Sequence, residues 1–488
     1  MNMDLQYIST RGHAQRVTAS EAIVKGIAPD GGLYVPETIP VFTLSMDAMA
    51  KLSYQDLAYE VLKLFLTDFT EDELRACISG AYGQGFDDPS VAPVVEAGGA
   101  YFLELFHGRT LAFKDMALSI LPHLMMTAAK KIGLNSEICI LTATSGDTGK
   151  AALAGFADVP GTRIIVFYPE GGVSEVQRLQ MVTQEGENTC VVGVRGNFDD
   201  TQTGVKQIFT DAAYAAELAE KGIVLSSANS INIGRLVPQI VYYFYAYGQL
   251  VQRGAIAAGE DINFVVPTGN FGNILAGYYA KKMGLPVKEL LCASNANRVL
   301  HDFFTSSVYN KNREFILTSS PSMDILVSSN LERLLYHLGG DGAEIKRLMT
   351  SLNTEGVYTF NATASGIVSE FSDEAETSAA LADMYKAGYV MDTHTAVACK
   401  AWQKRGDTST KTVIVSTASP YKFGASVCGA ITGKDYSAIS PDALFAEVER
   451  LSGVKTPDAI ADIAHKPIRH KTVCEKDDMK TIVQNILK

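Results

Sequence analysis

No C-x-x-C pair occurs in this 488-residue chain: its seven cysteines, Cys77, Cys139, Cys190, Cys292, Cys399, Cys428 and Cys474, are scattered and odd in number. That pattern excludes a disulfide framework and speaks against zinc, so no metal site is expected. No run reaches the roughly 18 apolar residues that a spanning helix requires, which excludes a membrane-spanning helix. The opening MNMDLQYISTRG lacks an apolar signal core, and a cytoplasmic protein is expected. Positive charge is in deficit too. A net charge of −12 and a sequence pI of about 5.2 leave no electrostatic footprint for nucleic acid, and pairs such as Lys130/Lys131 and Lys281/Lys282 read as solvated helix faces. Internal repeats and low-complexity tracts are also missing.

What remains is an ordinary soluble composition, 47% hydrophobic and 20% charged, long enough for two or three cores. From about residue 135 onward, short apolar runs alternate with longer helical patterns: ICILT at Ile138, RIIVFY at Arg163, CVVGV at Cys190, INFVVP at Ile262, ELLCAS at Glu289 and TVIVS at Thr412. Such alternation is the signature of βαβ units and parallel sheets, which bind ligands beyond the carboxyl ends of their strands. The first ninety or so residues differ, with turn-rich APDGG and a helical LSYQDLAYEVLKLFL from Leu52, and read as a small separate domain. Polar SSPSMDILVSSN and Gly-rich LGGDGAE mark an insertion at about 305–380, and DDMKTIVQNILK reads as a closing amphipathic helix.

Three segments carry chemistry. In FHGRTLAFKDMAL, Lys114 stands among Leu111, Ala112, Phe113 and Met116, where desolvation would lower its pKa and free an amine for Schiff-base chemistry; a helix-surface lysine is the plain alternative. In PTGNFGN, Gly269 and Gly272 allow close approach and unusual φ, so that backbone N–H groups of Gly269, Asn270, Phe271, Gly272 and Asn273 surround a phosphate at a helix start. A dinucleotide fingerprint is excluded because Phe271 occupies the second glycine position. In TATSGDTGKAA a P-loop is excluded, since it would need Gly at Thr144 and Ser or Thr at Ala151. Thr144, Ser145, Gly146, Asp147 and Thr148 instead suit an amino-acid carboxylate, unless Asp147 or Thr148 is merely a helix cap. A reactive lysine plus a phosphate cradle suggests pyridoxal phosphate. In SSANSINIGR, Ser230, Asn232 and Arg235 lie together; Arg235 reads as a phosphate ligand or as a surface ion-pair partner, and Asn229 and Asn232 as possible caps. The run QIVYYFYAYGQL serves core packing or a subunit contact, which leaves a homodimer open.

These segments, with ISTRG from Ile8, APDGGLYVPE from Ala28 and STASPYKF from Ser416, occur in order from residue 8 to residue 423, and together they resemble threonine synthase. The resemblance implies a pyridoxal-phosphate lyase of the tryptophan-synthase-β-like fold group (fold type II). Its expected fold is α/β, with two doubly wound, mainly parallel-sheet domains and the cofactor site between them, plus a small N-terminal domain. The implied boundaries are 1–95 for the N-terminal domain, 96–134 and 241–488 for the cofactor domain, and 135–240 for the domain carrying the carboxylate loop. The implied activity, the last step of threonine biosynthesis, converts O-phospho-L-homoserine and water to L-threonine and phosphate. Lys114 becomes the cofactor lysine, the hydroxyl of Thr417 faces the pyridine nitrogen, and Ser230, Asn232 and Arg235 join the substrate site. A phospholyase or hydroxyamino-acid dehydratase releasing a 2-oxo acid is the alternative, as is a cofactor-binding protein without turnover. Two departures from the family pattern stand out: Arg109 where Pro is usual, and Ser419 with Tyr421 in a segment that commonly reads STAHPAKF. His107 and Asp115 flank Lys114 and receive no catalytic role.

Overall fold

All six apolar runs form strands: Glu137–Ala143, Thr162–Pro169, Thr189–Arg195, Ile262–Pro267, Val287–Ser294 and Thr412–Ser416. Strands buried on both faces read as continuous Val/Ile/Leu runs, which is why they stand out in the sequence. The computed structural model describes residues 4–339 and 341–488. Among the described residues the strands build two larger sheets, both α/β and mainly parallel as expected.

The larger sheet runs in the order Ile367–Phe371, Val287–Ser294, Ile262–Pro267, Thr412–Ser416, Ala100–Glu104, Val94–Ala97, parallel except for its last, antiparallel pair. The smaller sheet runs Thr472–Glu475, Thr189–Arg195, Thr162–Pro169, Glu137–Ala143, Ile223–Ser226, and every pairing in it is parallel.

The C-terminal assignment needs correction. Residues 241–488 were expected to remain with the larger sheet, yet Thr472–Glu475 is an edge strand of the smaller one, and helix Met479–Ile486 seals the same core through Met479 and Val483, with Leu487 just after it. Only Cys474 of that strand is buried, so no apolar run announced it. The 305–380 segment is likewise not a pure insertion, because Ile367–Phe371 completes an edge of the larger sheet.

The N-terminal segment forms helices where the pattern placed them; Ser53 caps Tyr54–Phe65, accepting from the Asp56 N–H. They do not close a separate core. Leu57, Val61 and Phe65 join one continuous cluster with Tyr243 and Phe244 of helix Ile233–Gln252 and with strand residue Phe264. The tyrosine-rich run is therefore buried packing: Tyr242, Tyr243 and Tyr247 have no exposed surface.

Candidate active site

Three strand-to-helix turns converge beyond the carboxyl ends of the two sheets. The turn after Glu137–Ala143 comes from the smaller sheet; those after Ile262–Pro267 and Thr412–Ser416 come from the larger. With Lys114 and the Ser230–Arg235 segment they enclose a cavity of about 240 Å³.

Lys114 stands just before the short helix Asp115–Leu118, and its Nζ lies 5.5 Å from the centre of the Phe113 ring. Burial lowers its pKa to about 8, with Asp147 opposing that shift and Arg235 and Lys422 adding to it. The plain alternative of a surface lysine is thereby removed: the side chain opens only partly, and onto the cavity.

The phosphate-type turn is built differently from expectation. Neither Gly269 nor Gly272 takes a positive φ; Phe271 does, at 65°, as the N-cap of helix Gly272–Lys282, with no side-chain cap hydrogen bond. The helix therefore presents its first N–H groups without a protein side chain on them, as an anion site requires. Gly269 matters through space, since a Cβ there would lie 2.6 Å from the Ser322 carbonyl oxygen. Two neighbours hold the turn. Ser328 Oγ donates to the Gly269 carbonyl at 2.7 Å, and Asn330 Nδ2 to the Asn270 carbonyl at 2.9 Å. The Asn273 side chain accepts from Tyr242 and Tyr243 hydroxyls at 2.7 Å, while its Nδ2 is buried without a partner.

In the carboxylate-type turn, Gly146 caps helix Asp147–Phe156 at φ 130°, a conformation that favours glycine. Thr144 Oγ1 shapes the turn by accepting from Gly146 N at 2.9 Å and Gly149 N at 2.8 Å. Thr144, Ser145 and Thr148 line the cavity; Gly146 and Asp147 do not. Asp147 is buried against Lys422 Nζ at 2.8 Å and Gln177 Nε2 at 2.9 Å. Burial alone would raise its pKa, but Lys422 and Lys114 hold the carboxyl well below the usual range.

Arg235 lines the cavity and is 3% exposed, so the surface ion-pair alternative is excluded. Its Nη1 donates to the Ala228 carbonyl at 3.0 Å, its Nε is buried without a partner, and burial lowers its pKa to about 10. A buried guanidinium without a carboxylate is costly unless an anionic ligand completes it. Ser230 also faces the cavity, as does the Asn229 whose Oδ1 has no partner. Asn232 does not: it caps helix Ile233–Gln252 through Gly234 N at 2.9 Å and donates to the Ile23 carbonyl at 2.9 Å. Its assignment to substrate is corrected to a structural tie, one the sequence also allowed.

Thr417 lines the cavity, and its carbonyl accepts from Phe113 N at 2.8 Å, joining its loop to that of Lys114. Ser419 accepts from Tyr421 N and stays outside the cavity. Arg109 lies apart from the site, beside Gly85 and His123 in a separate recess. His107 pairs with Asp87 and Glu104, and Asp115 accepts from Thr110, which leaves both structural. In ISTRG, Thr10 and Arg11 bind Glu332.

Several cavity residues had no sequence assignment. His394 enters from helix Thr393–Arg405, and Phe198, Gln202 and Phe209 from helix Phe198–Thr210. The Asp392-Thr393-His394 stretch carries a weak signal, an N-cap aspartate two residues before a histidine.

The donor set fits pyridoxal phosphate: an amine poised near neutrality, a helix start free of side-chain caps, a glycine cradle a Cβ would fill, and unpartnered buried donors on Arg235 and Asn273.

Comparison with known proteins agrees. Residues 6–82 match the family described as threonine synthase N terminus, residues 93–419 that of pyridoxal-phosphate dependent enzymes, and residues 395–486 that of threonine synthase, C-terminal. The chain is 38% identical over 453 residues to threonine synthase-like 1 of Homo sapiens, covering 88% of this chain and 61% of that protein. It thus spans about three fifths of such longer relatives. It is 39% identical over 434 residues to threonine synthase of Pseudomonas aeruginosa, covering 87% of this chain and 90% of that one. The structure of PLP-bound threonine synthase from Brucella melitensis superimposes with a TM-score of 0.84 at 34% identity, over 99% of both chains.

Proposed function

The chain belongs to the threonine synthase family of pyridoxal-phosphate-dependent enzymes, and from that premise we propose that it converts O-phospho-L-homoserine and water to L-threonine and phosphate. The observation carrying this is the shared cavity: Lys114, the 269–273 turn, the Thr144 loop and Arg235 all line it.

Pyridoxal phosphate supplies an aldehyde carbon for covalent capture of amines and a ring that takes up the electron pair released at the substrate's α carbon. Lys114 would hold that carbon between turnovers, and the N–H groups of residues 269–273 would hold the phosphate. Thr417 offers a neutral hydroxyl to the ring nitrogen. Ser145 and Thr148 with the turn N–H groups hold the substrate carboxylate, and Arg235 pairs with the γ-phosphate, bringing the charge that its buried site lacks. Lys114 Nζ, when free, would be the base that takes the α proton. The same amine, in its two protonation states, would take a β proton as phosphate departs, and addition of water at the β carbon with return of protons to the γ and α carbons would complete threonine. A pKa of about 8 leaves it able to do both near neutrality.

Action in the cytoplasm belongs to the same proposal. Among the described residues no helix is long and apolar enough to cross a membrane.

The test is an incubation with O-phospho-L-homoserine in which phosphate, threonine and 2-oxobutyrate are measured together. Equal phosphate and threonine is the expected result. Oxo acid in place of threonine would make the protein a phospholyase that releases a 2-oxo acid, and no phosphate release would remove the proposed substrate.

A further inference from the structure

Lys422 is fully buried, yet it does not line the cavity. It follows the Thr417 loop in the short 3-10 turn Pro420–Phe423. Its Nζ lies 2.8 Å from Asp147 Oδ1, and it donates to the Thr110 carbonyl at 2.9 Å and to Gln180 Oε1 at 3.0 Å. Three donor directions meet three acceptors from three separate segments: the loop leading to Lys114, the start of the helix after the carboxylate turn, and helix Glu175–Val182. Thr110 belongs to the larger-sheet side of the cavity and the other two to the smaller-sheet side.

We propose that Lys422 is a positioning residue that clamps the carboxylate turn to the lysine loop and, by neutralising Asp147, keeps that carboxylate from pairing with Lys114. This rests on the pyridoxal-phosphate reading of the site, not on the identity of its substrate. Among the described residues, the charged groups acting on Lys114 are Asp147, Arg235 and Lys422, and the titratable Lys206 and His394 line the same cavity. Around Lys422 lie Asp147, Lys150 and Asp115; the last is engaged by Thr110 N at 2.8 Å and Thr110 Oγ1 at 2.7 Å, and Lys150 by Gln184. Asp147 is therefore the anion that both ammonium groups share. Lys422 and Gln177 both hold its Oδ1, and Oδ2 accepts from Ser322 Oγ at 3.4 Å. Without Lys422, a buried carboxylate would turn its whole field on the nitrogen of Lys114 and stabilise the protonated form there.

A second consequence is geometric. Gln177 and Gln180 lie on the helix whose start is boxed by Ser174, so the clamp reaches the carboxylate turn both directly and through Gln177.

The test uses the holoprotein and reads the pH at which the visible cofactor band fades, a property of the nitrogen at Lys114 that does not depend on any substrate. Lys422→Met should move that midpoint up by about one unit, Asp147→Asn should move it down, and the double variant should return near the parent, because opposite charges are removed together. If Lys422→Met fails to fold, the charge-balanced double variant decides against Asp147→Asn: the midpoint should lie near the parent in the double variant and lower in Asp147→Asn, and equal midpoints overturn the proposal. An unmoved or lowered midpoint in Lys422→Met, an unmoved one in Asp147→Asn, or a double variant that merely copies Lys422→Met overturns the proposal. Lys114→Ala, which should lack the band, separates this outcome from an error in the cofactor assignment.

Discussion

Asp392 grips His394 at two points: its Oδ2 accepts the His394 backbone N–H at 2.8 Å and lies 2.7 Å from the ring Nδ1. The ring's Nε2 is then the acceptor for the Ser322 N–H at 3.1 Å, which assigns the neutral, Nδ1-protonated form. Ser322 abuts Gly269, so the pair supports the phosphate-type turn from behind. His394→Phe keeps the ring volume and removes the acceptor. Cofactor affinity measured by fluorescence titration should fall about tenfold, the scale of one buried donor left unpaired. Unchanged affinity would show that the Ser322 bond does not support the turn.

The two glycines of that turn should respond differently to alanine. At Gly269 a Cβ would lie 2.6 Å from a backbone oxygen, whereas at Gly272 its nearest neighbour would be Asn330 Nδ2 at 3.6 Å. Thermal unfolding without added cofactor should show Gly269→Ala destabilised by about 1–3 kcal/mol, as overpacking generally is, and Gly272→Ala nearly unaffected. Equal melting temperatures would contradict the close approach.

Arg235 should trade stability for function. Among the described residues no carboxylate pairs with the buried Arg235 guanidinium, so replacing it with methionine is expected to leave unliganded stability equal or higher. The same variant should raise KM for O-phospho-L-homoserine by about 100-fold, matching loss of charge-assisted hydrogen bonds. A clear loss of stability with unchanged KM would make Arg235 structural.

His107 predicts a pH effect on stability. Burial disfavours its cation, but hydrogen bonds to Asp87 and Glu104 outweigh that and raise its pKa to about 9. A pKa above the unfolded value of roughly 6.5 means stabilisation that is complete below that pH and lost as pH rises through about 9. Denaturant titrations of His107→Gln against the parent should show a gap at pH 6 that closes by pH 10. A constant gap would assign the residue a packing role instead.

The sequence carried more of the site than of the domain organisation. Lys114, the 269–273 turn and the Thr144 loop were legible because each is contiguous, and glycine spacing after a buried strand constrains what the backbone can do. Phe271 shows the limit: residue type pointed to the glycines for the left-handed conformation, while helix geometry assigned it to the phenylalanine. Asn232 and Arg235, three residues apart, looked alike as polar candidates; the helix turned one toward Ile23 and the other toward the cavity.

Local order was written in the chain itself: alternating apolar runs, capped helices such as that started by Ser53, and Gly-rich turns at strand ends, all of which depend on near neighbours. Contacts that depend on distant neighbours were decided only by folding. Arg11 meets Glu332 at 2.8 Å, Lys422 meets Asp147, and Thr472–Glu475 pairs with a strand more than 270 residues earlier. A single ionic side chain carries no record of its partner, because charge and hydrogen bonding act through space whereas the sequence orders residues only along the backbone.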